Sequence, residues 1–139
     1  MIDLCRMRTL IGVERRLQFR REKILSKAIK ITTVLTGMPR GSGTHSQVED
    51  GAIELYEADT ETAYREMLDS LSSMRVELEE ILPSLEDPDD IGIMRLRYIC
   101  GHYPEEIPDM VHLSRRAMFY HLSSAEKKLI RMFPDQVTK

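Results

Sequence analysis

Arg115, Arg116, Phe119, Tyr120 and Ser123 are spaced so that a helix through them presents guanidinium groups, aromatic rings and a hydroxyl along its first turns. Arginine can fork onto guanine O6 and N7, and an aromatic ring can meet the thymine methyl. These five are the candidate base-reading residues. Ser114, His121, Lys127, Lys128 and Arg131 surround them and are candidates for phosphate oxygens. Residues 110–139 carry six Lys/Arg against two Asp/Glu, a local field suited to a polyanion. The competing reading is a solvated basic face, or one that meets an acidic protein. Phe119 and Tyr120 are adjacent and cannot both enter one core, so one is expected on the surface.

Other chemistry finds less support. Cys100 and His102 could suggest a nucleophile and its base, but no third group orients them. Glu105 and Glu106 read as first-turn helix acids rather than a catalytic pair. His45, His102, His112 and His121 lack metal-ligand spacing, and Cys100 with His102 is two ligands short of a zinc site. Neither an enzyme, a metal nor a cofactor is expected.

The elements that must position the basic helix are marked by caps. Asp87-Pro88-Asp89-Asp90 is a strong helix start, with an N-cap Asp, Pro at the first position and acids on the positive helix end. That helix is predicted over 89–100, with Gly101 just past its end. Met94, Tyr98 and either Ile91 or Ile99 would face a core. Ile107, Met110 and Val111 form a short apolar set, His112 and Leu113 a turn, and Ser114 an N-cap. Met118, Leu122, Ala125 and Leu129 then line one helix face. Two short helices joined by a tight turn describe a helix-turn-helix, whose second helix enters the major groove.

Upstream, two long helices are predicted over 2–35 and 47–85. Leu10, Leu17, Ile24 and Ile31 recur every seven residues, with Val13 and Val34 three residues after members of that set. Met67, Leu71, Met74, Leu78, Ile81 and Leu85 alternate at four and three, a heptad seam continued upstream by Ile53, Tyr56, Thr60 and Tyr64. Between them, residues 36–46 hold three Gly and a Pro and read as a connection. They do not fit a phosphate-binding P-loop: counting from Gly37, Ser42 and Gly43 stand where Gly and Lys are needed.

Charge is laid out in blocks. Residues 1–40 carry ten Lys/Arg and three Asp/Glu, 41–90 two and fifteen, and 91–139 eight and five, for an overall charge of -3. The basic first helix, with Arg15, Arg16, Arg20 and Arg21, and the acidic second helix are expected to pair as an antiparallel coiled-coil hairpin. The fold expected is therefore all-α: a hairpin over 1–86, a helix-turn-helix over 87–133 and a tail over 134–139. A two-helix hairpin buries little apolar surface alone, so it should pack on the C-terminal part or form a homodimer. No apolar run approaches the ~18 residues of a membrane span, and charges interrupt the first eight residues, which hold no signal-peptide core. Two cysteines, Cys5 and Cys100, are too few for a disulfide framework and suit free thiols in a cytoplasm.

Leu96-Arg97-Tyr98, Gly101, Glu105-Glu106-Ile107, Met110-Val111-His112-Leu113-Ser114-Arg115-Arg116, Met118, Leu122, Ala125 and Lys128-Leu129 together resemble region 4 of the sigma factors, the part that reads promoter -35 elements. Nearly the full chain resembles a family of small phage and prophage proteins of Gram-positive bacteria, including ArpU-type transcriptional regulators. The loop Leu35-Thr36-Gly37-Met38-Pro39-Arg40-Gly41-Ser42-Gly43 is its most distinctive match. The resemblance implies a double-stranded DNA partner, with RNA polymerase a candidate second one, in a bacterial cytoplasm. Three positions depart from the pattern. Tyr103, followed by Pro104, stands where Ser or Thr is usual, Pro108 stands at a small-Ala position, and His112 stands at a turn Gly. Pro108 is expected to begin the first short helix, leaving 104–107 irregular. Two other readings remain: a protein-interaction adaptor that has lost DNA binding, and a packaging protein like a small terminase subunit.

Overall fold

The computed structural model describes the backbone of residues 1–35 and 47–139, and the side chains of 1–29, 62 and 64–139. The expected loop 36–46, with His45, lies outside the described residues. The side chains of Ile31, Val34, Ile53, Tyr56 and Thr60 lie outside them as well.

The chain is all-α apart from one small parallel pair of strands. In order, the elements are β1 (Ile2–Asp3), α1 (Leu4–Leu35), α2 (Gln47–Ile81), a 3-10 turn (Leu82–Ser84), α3 (Pro88–Met94) running into a π-helical turn (Arg95–Ile99), α4 (Ile107–Val111), α5 (Arg115–Met132) and β2 (Val137–Thr138). No helix among the described residues is long and apolar enough to cross a membrane.

Two compact units divide the chain, residues 1–12 with 68–139, and residues 13–67. The division falls within the two long helices rather than after residue 86. The reason is apolar. The first turns of α1 supply Leu4, Met7, Leu10 and Ile11, and the last turns of α2 supply Leu71, Met74, Leu78 and Ile81, to the core that holds Ile93, Met94, Tyr98, Ile107, Met118 and Leu129. A helix-turn-helix alone is too small to remove enough apolar surface from water, and these helix ends complete it.

Residues 134–139 are not a free tail. Ile2 pairs with Val137 and Asp3 with Thr138, Ile2 N–H donates to Gln136 O at 2.7 Å, and both Ile2 and Val137 are buried. Two apolar side chains shielded together make this short pairing worthwhile. Asp3 then caps α1, its Oδ1 accepting from Arg6 N–H at 2.9 Å.

Pro83 ends α2 in the 3-10 turn, and Asp87 caps α3, its Oδ1 accepting from Asp89 N–H at 2.9 Å with Pro88 at the first position. The helix predicted over 89–100 does not stay α-helical. It widens after Met94, so Cys100 N–H reaches back five residues to Arg95 O at 2.9 Å. Arg75 Nε donates to Tyr98 O at 3.0 Å. Met94 and Tyr98 are buried as expected, but Ile93 takes the core place assigned to Ile91 or Ile99, which are half-buried.

In the second unit, only parts of α1 and α2 have described side chains. Leu17 and Ile24 are half-buried, while Phe19, Leu25 and Met67 are exposed. Met67 thus lies on the predicted seam but outside the core.

Candidate nucleic-acid interface

The turn into the candidate helix is built locally. Residues 104–106 form a turn, closed by Glu106 N–H donating to Tyr103 O at 3.0 Å. Tyr103 N–H in turn donates to Glu106 Oε2 at 2.8 Å. α4 starts at Ile107, one residue before Pro108, so the proline's missing N–H falls among those that need no helical partner. His112 ends α4 in the left-handed conformation, with φ 55°, and its N–H and that of Leu113 both return to Pro108 O. A non-glycine residue there costs about 1 kcal/mol. Ser114 caps α5, its Oγ accepting from Ala117 N–H at 3.2 Å. Pro108 and His112 therefore leave a complete helix–turn–helix backbone.

α5 has an inner face of Met118, Leu122, Ala125, Glu126 and Leu129, all buried. At ~100° per residue, Arg116, Tyr120, Ser123, Lys127 and Arg131 fall on the opposite side. Arg116, Tyr120, Lys127 and Arg131 are exposed and Ser123 is half-buried. Arg115 and Phe119 form the edge of this face, the guanidinium 5.8 Å from the ring centroid. Phe119 and Tyr120 both stand out from the core, at 38% and 72% exposure, so the surface has two rings where one was expected. Tyr120 meets the His121 ring edge-on at 6.0 Å between centroids.

His121 and Lys128 sit on the other edge, and both are engaged. Asp90, 1% exposed at the start of α3, has Oδ1 2.8 Å from His121 Nδ1, and its Oδ2 accepts from Lys128 Nζ at 2.7 Å. The bond to Asp90 raises the Lys128 pKa above its ordinary value. These two residues, expected on phosphates, instead bind α3 to α5, because a buried carboxylate needs donors near it. Ser114, Lys127 and Arg131 remain as the phosphate candidates on the exposed side.

A second buried carboxylate lies beneath α5. Glu126 accepts from Tyr98 Oη at 2.6 Å and from Arg8 Nη2 at 3.2 Å, and Arg8 Nε donates to Tyr98 Oη at 2.9 Å. Burial first, then the Glu126 charge, pushes the Tyr98 phenol well above its ordinary pKa. This network fixes the long axis of α5 against α1 and the π turn.

No protein-family model, curated protein or solved structure matches the chain.

Arg115, Arg116, Lys127 and Arg131 are exposed along α5, and the two buried carboxylates among the described residues, Asp90 and Glu126, are engaged by donors. Sequence spacing offered no ligand set among the histidines, yet the fold brings one ligand atom each of Asp87, Asp90 and His121 within 4.8 Å of one another. Asp90, Glu126, Tyr98 and Arg8 had no sequence signal as a group, since their partners are 28 to 118 residues apart.

Proposed function

We propose that this protein binds double-stranded DNA through α5 and acts as a transcriptional regulator of a phage or prophage, in the cytoplasm of the bacterial host. The observation that carries the reading is the outward face of α5. It joins Arg116, Tyr120, Ser123, Lys127 and Arg131, with Arg115 and Phe119 at its edge, behind a tight turn from a short helix. Arg115 and Arg116 occupy the N-terminal end, the part of a recognition helix that meets base edges. Lys127 and Arg131 lie farther along, where a helix leaving the groove meets phosphates. The resemblance to sigma region 4 supports the same docking, with RNA polymerase as a further partner. Exposed Phe19 and Leu25 on α1 support a homodimer formed through the long helices.

The test is selection of bound duplexes from a random pool by the full chain and by an Arg115→Glu/Arg116→Glu variant. The native chain should enrich a motif, and the variant should lose about 100-fold or more in affinity for it. Failure of both folded proteins to enrich any sequence would overturn the reading.

One observation favours an adaptor instead. With His121 and Lys128 engaged by Asp90, fewer cations face a phosphate backbone. Tight polymerase binding without DNA affinity would mark that adaptor. Higher oligomers in light scattering would point to a packaging protein.

A further inference from the structure

We propose that Asp87, Asp90 and His121 form a binding site for a divalent transition-metal ion, zinc foremost, that ties the start of α3 to the middle of α5. One ligand atom from each residue lies within 4.8 Å of the other two. His121 Nδ1 is 2.8 Å from Asp90 Oδ1 and 3.7 Å from Asp87 Oδ2. These separations bracket the ligand–ligand edge of a zinc tetrahedron, about 3.4 Å for bonds of ~2.0–2.2 Å.

Hydrogen-bond accounting points the same way. An imidazole Nδ1 carries at most one proton, and at 2.8 Å that proton serves Asp90. Asp87 Oδ2, at 3.7 Å, faces the same nitrogen from beyond hydrogen-bond reach. Asp87 Oδ1 is already taken by Asp89 N–H. Two carboxylates share one lysine and one imidazole here, and one of the carboxylates is buried. A dication answers both the charge and the spare oxygen. Lys128 holds Asp90 Oδ2 and leaves Oδ1 for the ion, which sets monodentate coordination. His121 would bind through its Nδ1 lone pair with the proton on Nε2, and water would take the fourth position. An imidazole with two carboxylates favours zinc and its first-row neighbours over magnesium or calcium.

The site stands apart from the DNA reading and is tested without DNA. The full chain, stripped with EDTA, is titrated with zinc chloride by calorimetry and with cobalt chloride by visible absorption. The expected result is one ion per chain, tetrahedral cobalt bands and a thermal midpoint raised by zinc. Asp87→Asn and His121→Gln should each weaken zinc binding at least tenfold and abolish the midpoint shift. Asparagine caps a helix as well as aspartate does, so Asp87→Asn keeps α3 formed, as circular dichroism will verify. Cys100→Ser should bind zinc like the native chain. No uptake at micromolar zinc, uptake unchanged in both ligand variants, or uptake lost in Cys100→Ser would each overturn the proposal.

Discussion

Asp90 and Glu126 are both buried carboxylates, at 1% and 6% exposure, and each is held by two donors. Their partners differ. Glu126 lies on the inner face of α5 and holds the fully buried Tyr98, together with Arg8 from the first turns of α1. Asp90 lies on α3 and holds Lys128, half exposed, and His121, about a quarter exposed. Without Glu126, a phenol is stranded in the core. Without Asp90, the Lys128 ammonium and the His121 imidazole return to water. The same functional group thus supports the fold in one place and sets the surface of α5 in the other.

The sharpest way to break this contrast is to remove each acid in turn, with chelator present. Glu126→Ala should lower unfolding free energy by about 3 kcal/mol in denaturant titrations, because Tyr98 loses its acceptor in a dry site. Asp90→Ala should cost less, about 1–2 kcal/mol, since water can satisfy the released donors. Equal losses would erase the distinction.

Tyr98→Phe should cost about 1 kcal/mol at neutral pH. Its larger signature is in alkali. The folded phenol titrates above its ordinary value, whereas in the unfolded chain it ionises near pH 10. The contribution of Tyr98 is therefore complete below about pH 10 and is lost as pH rises beyond it, by up to ~1.4 kcal/mol per pH unit. Unfolding curves of Tyr98→Phe should lack that part of the alkaline decline.

Arg116→Ala should be the smallest stability change, within about 0.5 kcal/mol, as its side chain is exposed. Its effect should appear in DNA titrations, where about 1–3 kcal/mol of affinity is lost and specificity relaxes at one base pair. Lys127→Ala should instead weaken all duplexes alike and flatten the salt dependence by about one unit of slope.

Local signals in the sequence were reliable where chemistry and structure lie within a few residues. Asp87 and Ser114 cap the helices predicted for them, His112 takes the left-handed turn, and Met118, Leu122, Ala125 and Leu129 face inward. What was illegible depends on distant partners. Leu4, Met7 and Ile11 are spaced three and four apart, but Glu14 and Gln18 stand at the next matching positions, so the set is too short to read as a seam; they are core because Leu71, Leu78 and Met118 come to share it. Glu126 falls on an apolar face at a position where a charge is normally read as outward, and only Tyr98 and Arg8 explain it. The partition at residues 12 and 68 was hidden for the same reason, because helical periodicity runs through both points without interruption.

The pairing of Ile2 with Val137 has a consequence for synthesis. At ~5–20 residues per second, a ribosome needs roughly seven to thirty seconds between these two residues. Throughout that interval Ile2, Leu4, Met7 and Ile11 lack part of the core that will shield them. This unit therefore closes only after translation has passed Val137, and until then the nascent chain carries a short apolar segment without its β2 partner.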